Sequence, residues 1–347
     1  MTSSLPREST SGINPQPILD MNYAFARTAM LVAAVRLHLF THLAGGALTS
    51  VELAARAHTA PDPTERLLKG LGVLELVEKV GDTYQLTPTA DRFLVEDRPS
   101  YLGGDTLAML DYLPAWFQLD ETLRTATPYR DLGHAAVAEA FFAPRVRDLF
   151  PIIYPLATRA AAVLSIAEPV HMLDVGAGSA PWSAAFAKRY PAARVTALDL
   201  PEVVAQGQQH IAEIGLADRY TWIAADMETV TYPAFTYDLI IVGHVCRFIG
   251  EDRSRVLLKR LEQSLRPGGT LLLADVFLAD DHTGPPPAVT LDLSMLVNTS
   301  QGHIWPCSEV SRWLSDAGLH QVQRLDVAGP FPLLIAQKAR EVQCAGS

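Results

Sequence analysis

"VHMLDVGAGSAPWS", residues 170–183, decides the fold. Its apolar run up to Asp174 reads as a buried strand. Gly176 and Gly178 supply a sharp turn, and a helix follows from about Trp182 to Arg189. A strand that enters a helix through a glycine turn is the opening unit of a parallel α/β sheet. The downstream chain keeps that texture. "ARVTALDL", "YTWIAADM", "YDLIIVGHV" and "TLLLADVF" read as strands, and helices are expected from about Glu202 and over "EDRSRVLLKRLEQSLRPGG", with a Pro-Gly-Gly stop. "SEVSRWLSDAG" reads as a further helix, and "QVQRLDVA" and "FPLLIAQK" close the sheet. The expectation is a doubly wound α/β sheet over residues 161–340, with helices on both faces.

Residues 18–160 read differently, as mostly helical. Thr49 and Glu52 form a capping-box pattern, and Leu67, Leu68, Leu71 and Leu74 recur at helical spacing. "VEKVGDTYQLTP" reads as a hairpin turning at Gly81-Asp82. Two helices and a hairpin make a winged-helix pattern. Its second helix carries Glu65, Glu75 and Glu78 among Arg66, Lys69 and Lys79, and the whole chain of 347 residues has net charge −10. Nucleic acid needs clustered cations, so a packing or dimerisation module is expected instead. Two further helical stretches, 101–128 and 138–164, offer Met109, Trp116, Phe117, Phe150 and Tyr154 as candidate walls of a substrate pocket. Residues 1–17 are polar and Pro/Ser-rich, and with 341–347 they read as tails. No apolar run reaches about eighteen residues, and Cys246, Cys307 and Cys344 make no disulfide framework. A cytoplasmic protein with no membrane span is expected, and 49% apolar residues supply ample core.

Three carboxylates fall at successive strand ends: Asp174 before the glycines, Asp199 in "ALDL", and Asp226 in "AADM". Asp199 suits two ribose hydroxyls. Asp226 suits an adenine amino group, with Met227 packing on the ring. A pyrophosphate would be repelled by an aspartate inside the turn, so a nucleoside cofactor without phosphates fits better. This set resembles the class I S-adenosylmethionine methyltransferases. With "DLP" at 199–201, "LRPGG" at 265–269 and "LDLSMLV" at 291–297, the chain looks like the plant-type O-methyltransferase superfamily. The resemblance implies a Rossmann-like methyltransferase sheet and a homodimer built through the N-terminal half. It also implies S-adenosylmethionine held by Asp174, Gly176, Gly178, Asp199, Leu200, Asp226 and Met227.

Two positions depart from that family. Relatives carry a catalytic histidine where "VCRFI" places Arg247, and a glutamate near where "TSQGHIW" places His303. Arginine stays protonated at neutral pH and is a poor base. His244 lies three residues before Arg247. In the family fold His244 and His303 would face each other across the pocket, where two imidazoles can hold a divalent metal such as Fe, Zn, Co or Ni. The double exchange resembles the α-keto-acid C-methyltransferases. It implies an α-keto acid methylated at C3 through a metal-stabilised enolate. Asp275 is then a third ligand or base, and Arg247 pairs the substrate carboxylate or the enolate. The alternatives are O-methylation of a natural-product phenol by positioning alone, and a non-methylating enzyme or regulator that binds the cofactor. His210, His282 and His320 read as surface residues.

Overall fold

The computed structural model describes residues 13–164, 166–327 and 332–340. The expected tail at 341–347 and the first twelve residues of the expected tail at 1–17 lie outside the described residues, as does Cys344. The chain divides into two compact units, Met1–Leu107 and Ala108–Ser347, so the division falls well before the change of sequence texture near residue 160.

In the first unit, strands β1 (Leu48–Thr49), β2 (Val77–Val80) and β3 (Thr83–Leu86) form an antiparallel sheet in the order β1-β3-β2. The hairpin turns at Gly81, whose φ of +60° suits a residue without Cβ. Helix Ser50–Arg56 starts with the capping box anticipated above: the Glu52 amide donates to the Thr49 hydroxyl (3.2 Å), and the Thr49 amide donates to the Glu52 carboxylate (2.8 Å). In helix Pro61–Val73, Leu68 and Leu71 are wholly buried against Leu53, Val77 and Tyr84. The first helix, Gln16–Arg36, begins inside the expected tail because Pro17 suits a first-turn position. It is long and apolar enough to cross a membrane, with mean hydropathy 1.3, and only 17% of its most apolar window is buried. Ile18, Met21, Tyr23 and Phe25 stand exposed on it.

The second unit holds a seven-stranded sheet. Its strands are β4 (His171–Val175), β5 (Arg194–Asp199), β6 (Tyr220–Ala224), β7 (Tyr237–Gly243), β8 (Leu265–Ala274), β9 (Leu319–Leu325) and β10 (Leu333–Lys338). They run in the order β6-β5-β4-β7-β8-β10-β9. Strands β4 to β8 pair in parallel, while β10 is antiparallel to both β8 and β9. Strand order reverses between β4 and β7, so the crevice outside their carboxyl ends is the switch point of the sheet. "LRPGG" does not end a helix as read above. Helix Glu251–Ser264 stops first, β8 begins at Leu265, and a register shift against β7 takes up residues 266–269. Helix Val146–Val163 packs Phe150, Ala157, Ala160 and Ala161 against Trp182 and Phe186, next to the sheet. It contains Pro151 and Pro155, each of which removes one intrahelical hydrogen bond.

Replacing Thr49 by alanine removes the hydroxyl arm of the capping box, leaves the backbone-amide arm, and is expected to cost about 1 kcal/mol, read as a lower unfolding midpoint in urea. An unchanged midpoint would show that the cap does not hold this helix.

Candidate active site

The glycine turn after β4 is tied to its neighbour strand. The amides of Gly176 and Ala177 both donate to the Leu198 carbonyl, at 2.9 and 3.1 Å. Gly176 and Gly178 have φ of +67° and +58°, and Ala180 follows at +60°. A Cβ on Gly176 would lie 2.5 Å from the Val245 side chain, so glycine is needed there for shape as well as for conformation. The Ser179 hydroxyl donates to the Val146 carbonyl (2.6 Å), which fixes the loop to helix Val146–Val163.

Asp174 is buried beneath the loop and accepts from the Ser183 amide at 3.3 Å. Burial, with the neighbouring Asp199 charge adding to it, pushes its carboxyl up to about 6. Asp199 ends β5 and takes the amides of Gly178 and Leu200, each at 2.7 Å. Burial lifts it to about 6 as well, against the pull of those two donors. Asp226 accepts from the Glu228 amide at 2.8 Å.

These strand ends open on a cavity of about 410 Å³. Gly176, Gly178, Asp199, Leu200, Asp226 and Met227 line this cavity, and Asp174 does not reach it. A further part of the lining is apolar: Phe142, Leu149, Ile152, Ile153 and Leu156, with Phe248. His244 and Arg247 complete the lining from the end of β7.

His244 sits in the left-handed region, at φ +61°, which is unusual for a residue with Cβ. Its amide donates to the Ala274 carbonyl of β8 at 2.7 Å. Arg247 Nη1 stands 3.2 Å from His244 Nδ1 and 3.1 Å from Asp275 Oδ1. Asp275 is buried and also accepts from the Val276 amide. Burial alone would raise the Asp275 carboxyl, but the Arg247 guanidinium and the His244 ring hold it below its usual range. Burial likewise holds the His244 ring below its ordinary value. An arginine only donates, so the Arg247 contact assigns His244 Nδ1 as an acceptor and the ring hydrogen to Nε2, while Asp275 Oδ1 stands 3.8 Å from the same nitrogen. That Nε2, the Trp182 Nε1 and the Arg247 Nε are buried without a hydrogen-bond partner. The two surface carboxylates nearest in sequence, Glu251 and Asp252, are not the partners of Arg247; Asp275 is.

His303 is placed elsewhere. Its Nδ1 is hydrogen-bonded to Asp292, which raises its pKa against the effect of burial. Its ring lies beside Trp305, and its side chain is 46% exposed. It touches the site only through its amide, which donates to the Arg247 carbonyl at 2.9 Å, and it does not line the cavity. The expected pair of metal-binding imidazoles is therefore corrected. One ring turns its Nδ1 to a guanidinium, whose charge opposes a cation there, and the other is engaged by its own aspartate. Among the described residues, no three or more His, Cys, Asp or Glu side chains converge as a metal site would need.

The aromatic wall also falls differently. Phe150 stacks on Tyr154 with ring centres 4.7 Å apart and meets the His210 ring at 4.2 Å. His210, read from sequence as a surface residue, is thus packed between helices, while His282 and His320 are exposed. Met109 and Phe117 are exposed, Trp116 is half-buried, and none of the five expected residues lines the cavity. The wall comes instead from the neighbouring face of the same helix, Leu149, Ile152, Ile153 and Leu156, whose three- and four-residue spacing is visible in sequence.

Residues 152–320 match an O-methyltransferase domain, and residues 19–96 match an O-methyltransferase dimerisation domain. Over 336 residues the chain is 32% identical to the tetracenomycin polyketide synthesis 8-O-methyl transferase of Streptomyces glaucescens, covering 94% of this chain and 97% of that protein. It is 28% identical to the 3-hydroxy-5-methyl-1-naphthoate 3-O-methyltransferase of Streptomyces sahachiroi, covering 91% and 92%. The crystal structure of human N-acetylserotonin methyltransferase in complex with S-adenosylmethionine shares the fold, with TM-score 0.81 at 23% identity over 96% of this chain and 100% of that one.

Gly207, on helix Pro201–Glu213, faces the glycine turn. A Cβ there would lie 2.5 Å from the Gly178 carbonyl oxygen and 2.5 Å from the Trp222 ring. Gly207→Ala is expected to destabilise the protein by about 1–3 kcal/mol through overpacking, measured as a fall in denaturant midpoint. A variant as stable as the parent would mean the turn and helix can separate freely.

Proposed function

The chain belongs to the O-methyltransferase family and is an S-adenosylmethionine-dependent methyltransferase; on that premise we propose that it methylates a phenolic oxygen of an aromatic natural product. The observation that carries the reading is one cavity, apolar on its acceptor side, that runs from the glycine turn to His244 and Arg247. Its volume lies within the range of roughly 300–1,000 Å³ usual for small-molecule sites. The two curated relatives described above act, by their names, on a tetracenomycin polyketide and a naphthoate. A flat, fused aromatic ring suits walls made of Phe142, Phe248 and the aliphatic face of helix Val146–Val163.

In this reading Asp199 accepts the two ribose hydroxyls of the cofactor, and Asp226 with Met227 frames the adenine. The Gly176–Gly178 backbone passes close to the methionine part. Asp174, out of reach of the cavity, acts through the Ser183 amide and shapes the turn. The protein's main contribution is then geometric: it holds the acceptor oxygen in line with the sulfonium methyl and keeps water out. The dimerisation match over residues 19–96 supports a homodimer, and the exposed apolar row on helix Gln16–Arg36 belongs to that segment. The competing reading, metal-assisted C3 methylation of an α-keto acid, is not favoured, because the donor set it requires is divided between two separate hydrogen-bonded pairs.

The test is transfer of labelled methyl from S-adenosylmethionine to a panel of naphthols and hydroxyanthraquinones, with products identified by mass spectrometry. Aryl methyl ethers formed equally well in excess EDTA are expected. A C3-methylated keto acid formed only with added metal would overturn the reading.

Cofactor affinity should also depend on acidity. Asp199 must be ionised to accept both hydroxyls, and its folded-state pKa is raised to about 6. Affinity is therefore full above about pH 7 and falls as the carboxylate takes up its proton, about tenfold by pH 5. Calorimetric titration at the two pH values checks this, and equal affinities would remove Asp199 from the ribose.

A further inference from the structure

The cavity is lined by two arginines, and each of its other titratable side chains is engaged by a neighbouring donor. Its titratable lining residues are Asp199, Asp226, His244, Arg247 and Arg253. Asp199 is at the cofactor end with both oxygens engaged by amides, and Asp226 accepts from the Glu228 amide. Arg253 is fixed on Glu228 and donates to the Gly133 carbonyl at 2.8 Å. That leaves His244. Its Nδ1 lone pair is occupied by Arg247 Nη1 at 3.2 Å, while Asp275 Oδ1 stands at 3.8 Å, too far for a hydrogen bond. A base acting through Nε2 would need the ring's proton moved to Nδ1, which would then point at a guanidinium N–H. Two donors facing each other at that distance repel, so the base tautomer is the disfavoured one. His303, off the cavity, faces Asp292.

We propose that the acceptor enters this site already ionised, and that the enzyme acts on acidic phenols and enols without a general base of its own. The inference rests on the methyl-transfer reading above and specifies its substrate class. Arg247 lines the cavity while its partner Asp275 lies behind it, so an entering anion meets the guanidinium before the carboxylate. Arg247 Nη1 is held by His244 and Asp275, and Nη2 makes no hydrogen bond to a described residue. An apolar cavity disfavours ionisation of an ordinary phenol, whose pKa is about 10 in water. The acceptor must therefore be a hydroxyl made acidic by conjugation to a carbonyl or by an electron-poor ring. Such a hydroxyl loses its proton to solvent before binding. The aryl oxide then attacks the sulfonium methyl, and a C–O bond forms as the C–S bond breaks. The electron pair of that bond goes to sulfur. An anion and a cation become two neutral products, an aryl methyl ether and a thioether, and no enzyme group changes charge.

The test uses the full-length protein with 2-naphthol, a nitronaphthol and a hydroxynaphthoquinone, whose hydroxyls ionise at well-separated pH values. The pH dependence of kcat/KM for each acceptor is measured at saturating S-adenosylmethionine at every pH, so that the titration of Asp199 does not set the limb. The expected result is an ascending limb that moves with the acceptor's own pKa, since kcat/KM reports ionisations of the free reactants. Arg247→Met should lower kcat/KM on the ionised quinone about 100-fold or more, with S-adenosylmethionine affinity unchanged and partial rescue by Arg247→Lys. An ascending limb fixed at one pH for all three acceptors would assign the proton to an enzyme group and overturn the inference. A limb that disappears in His303→Gln would overturn it in the same way. Turnover with a fixed limb leaves the methyl-transfer reading standing; no methyl ether from any acceptor sinks both.

Discussion

Two amides of the glycine turn donate to a single carbonyl, that of Leu198 on the neighbouring strand, and the site depends on that junction. It fixes the turn at the end of β4 to β5, brings the Gly178 amide onto Asp199, and sets the floor of the cavity. The parallel pairing of β4 with β5 and with β7 then places Asp199 on one side of the turn and His244 on the other. Helices close over this arrangement wherever small residues allow contact. Gly207 admits one helix to the Gly178 carbonyl, and Ser179 fastens another. The Asp199 end of the cavity is thus a product of sheet topology, because strand ends at a switch point must leave a crevice.

Much of this was legible in residue order. The alternation of apolar runs with helical stretches carries the doubly wound sheet, since each strand buried on both faces must be nearly all apolar. The capping box at Thr49 and the hairpin at Gly81 are local devices, complete within a few residues, and they are found where the sequence places them. The glycines and the three strand-end carboxylates are likewise a local pattern, and all but Asp174 reach the cavity. What was not legible depends on rotation and on distant partners. An amphipathic helix shows an apolar stripe, but Phe150 and Leu149 differ by only about 100° around its axis. Phe150 faces the core and Leu149 faces the cavity. The Pro-Gly-Gly run reads as a stop, yet it becomes a bulge because β8 finds its register against β7 on either side of it.

The histidines teach the same lesson about chemistry. His244 and His303 look like a pair when only their positions in a family fold are considered. Their roles are set by whichever group stands at hydrogen-bond distance from each ring, Arg247 for one and Asp292 for the other. Neither neighbour can be chosen from sequence spacing, because the direction each ring takes is set by the packing of distant segments. In the proposed reading, Arg247 favours a negatively charged guest over a proton transfer.

Donor and acceptor halves of the cavity come from separate stretches of chain. In the proposed reading the cofactor end is built from residues 176–227 at the sheet, while the acceptor wall comes chiefly from the helices spanning 135–163. That second stretch contains Pro151 and Pro155, so two rungs of its backbone ladder are missing beside the wall. Selection can therefore reshape which guest fits by exchanging side chains along one softened helix, leaving the strand-end grip on the cofactor intact.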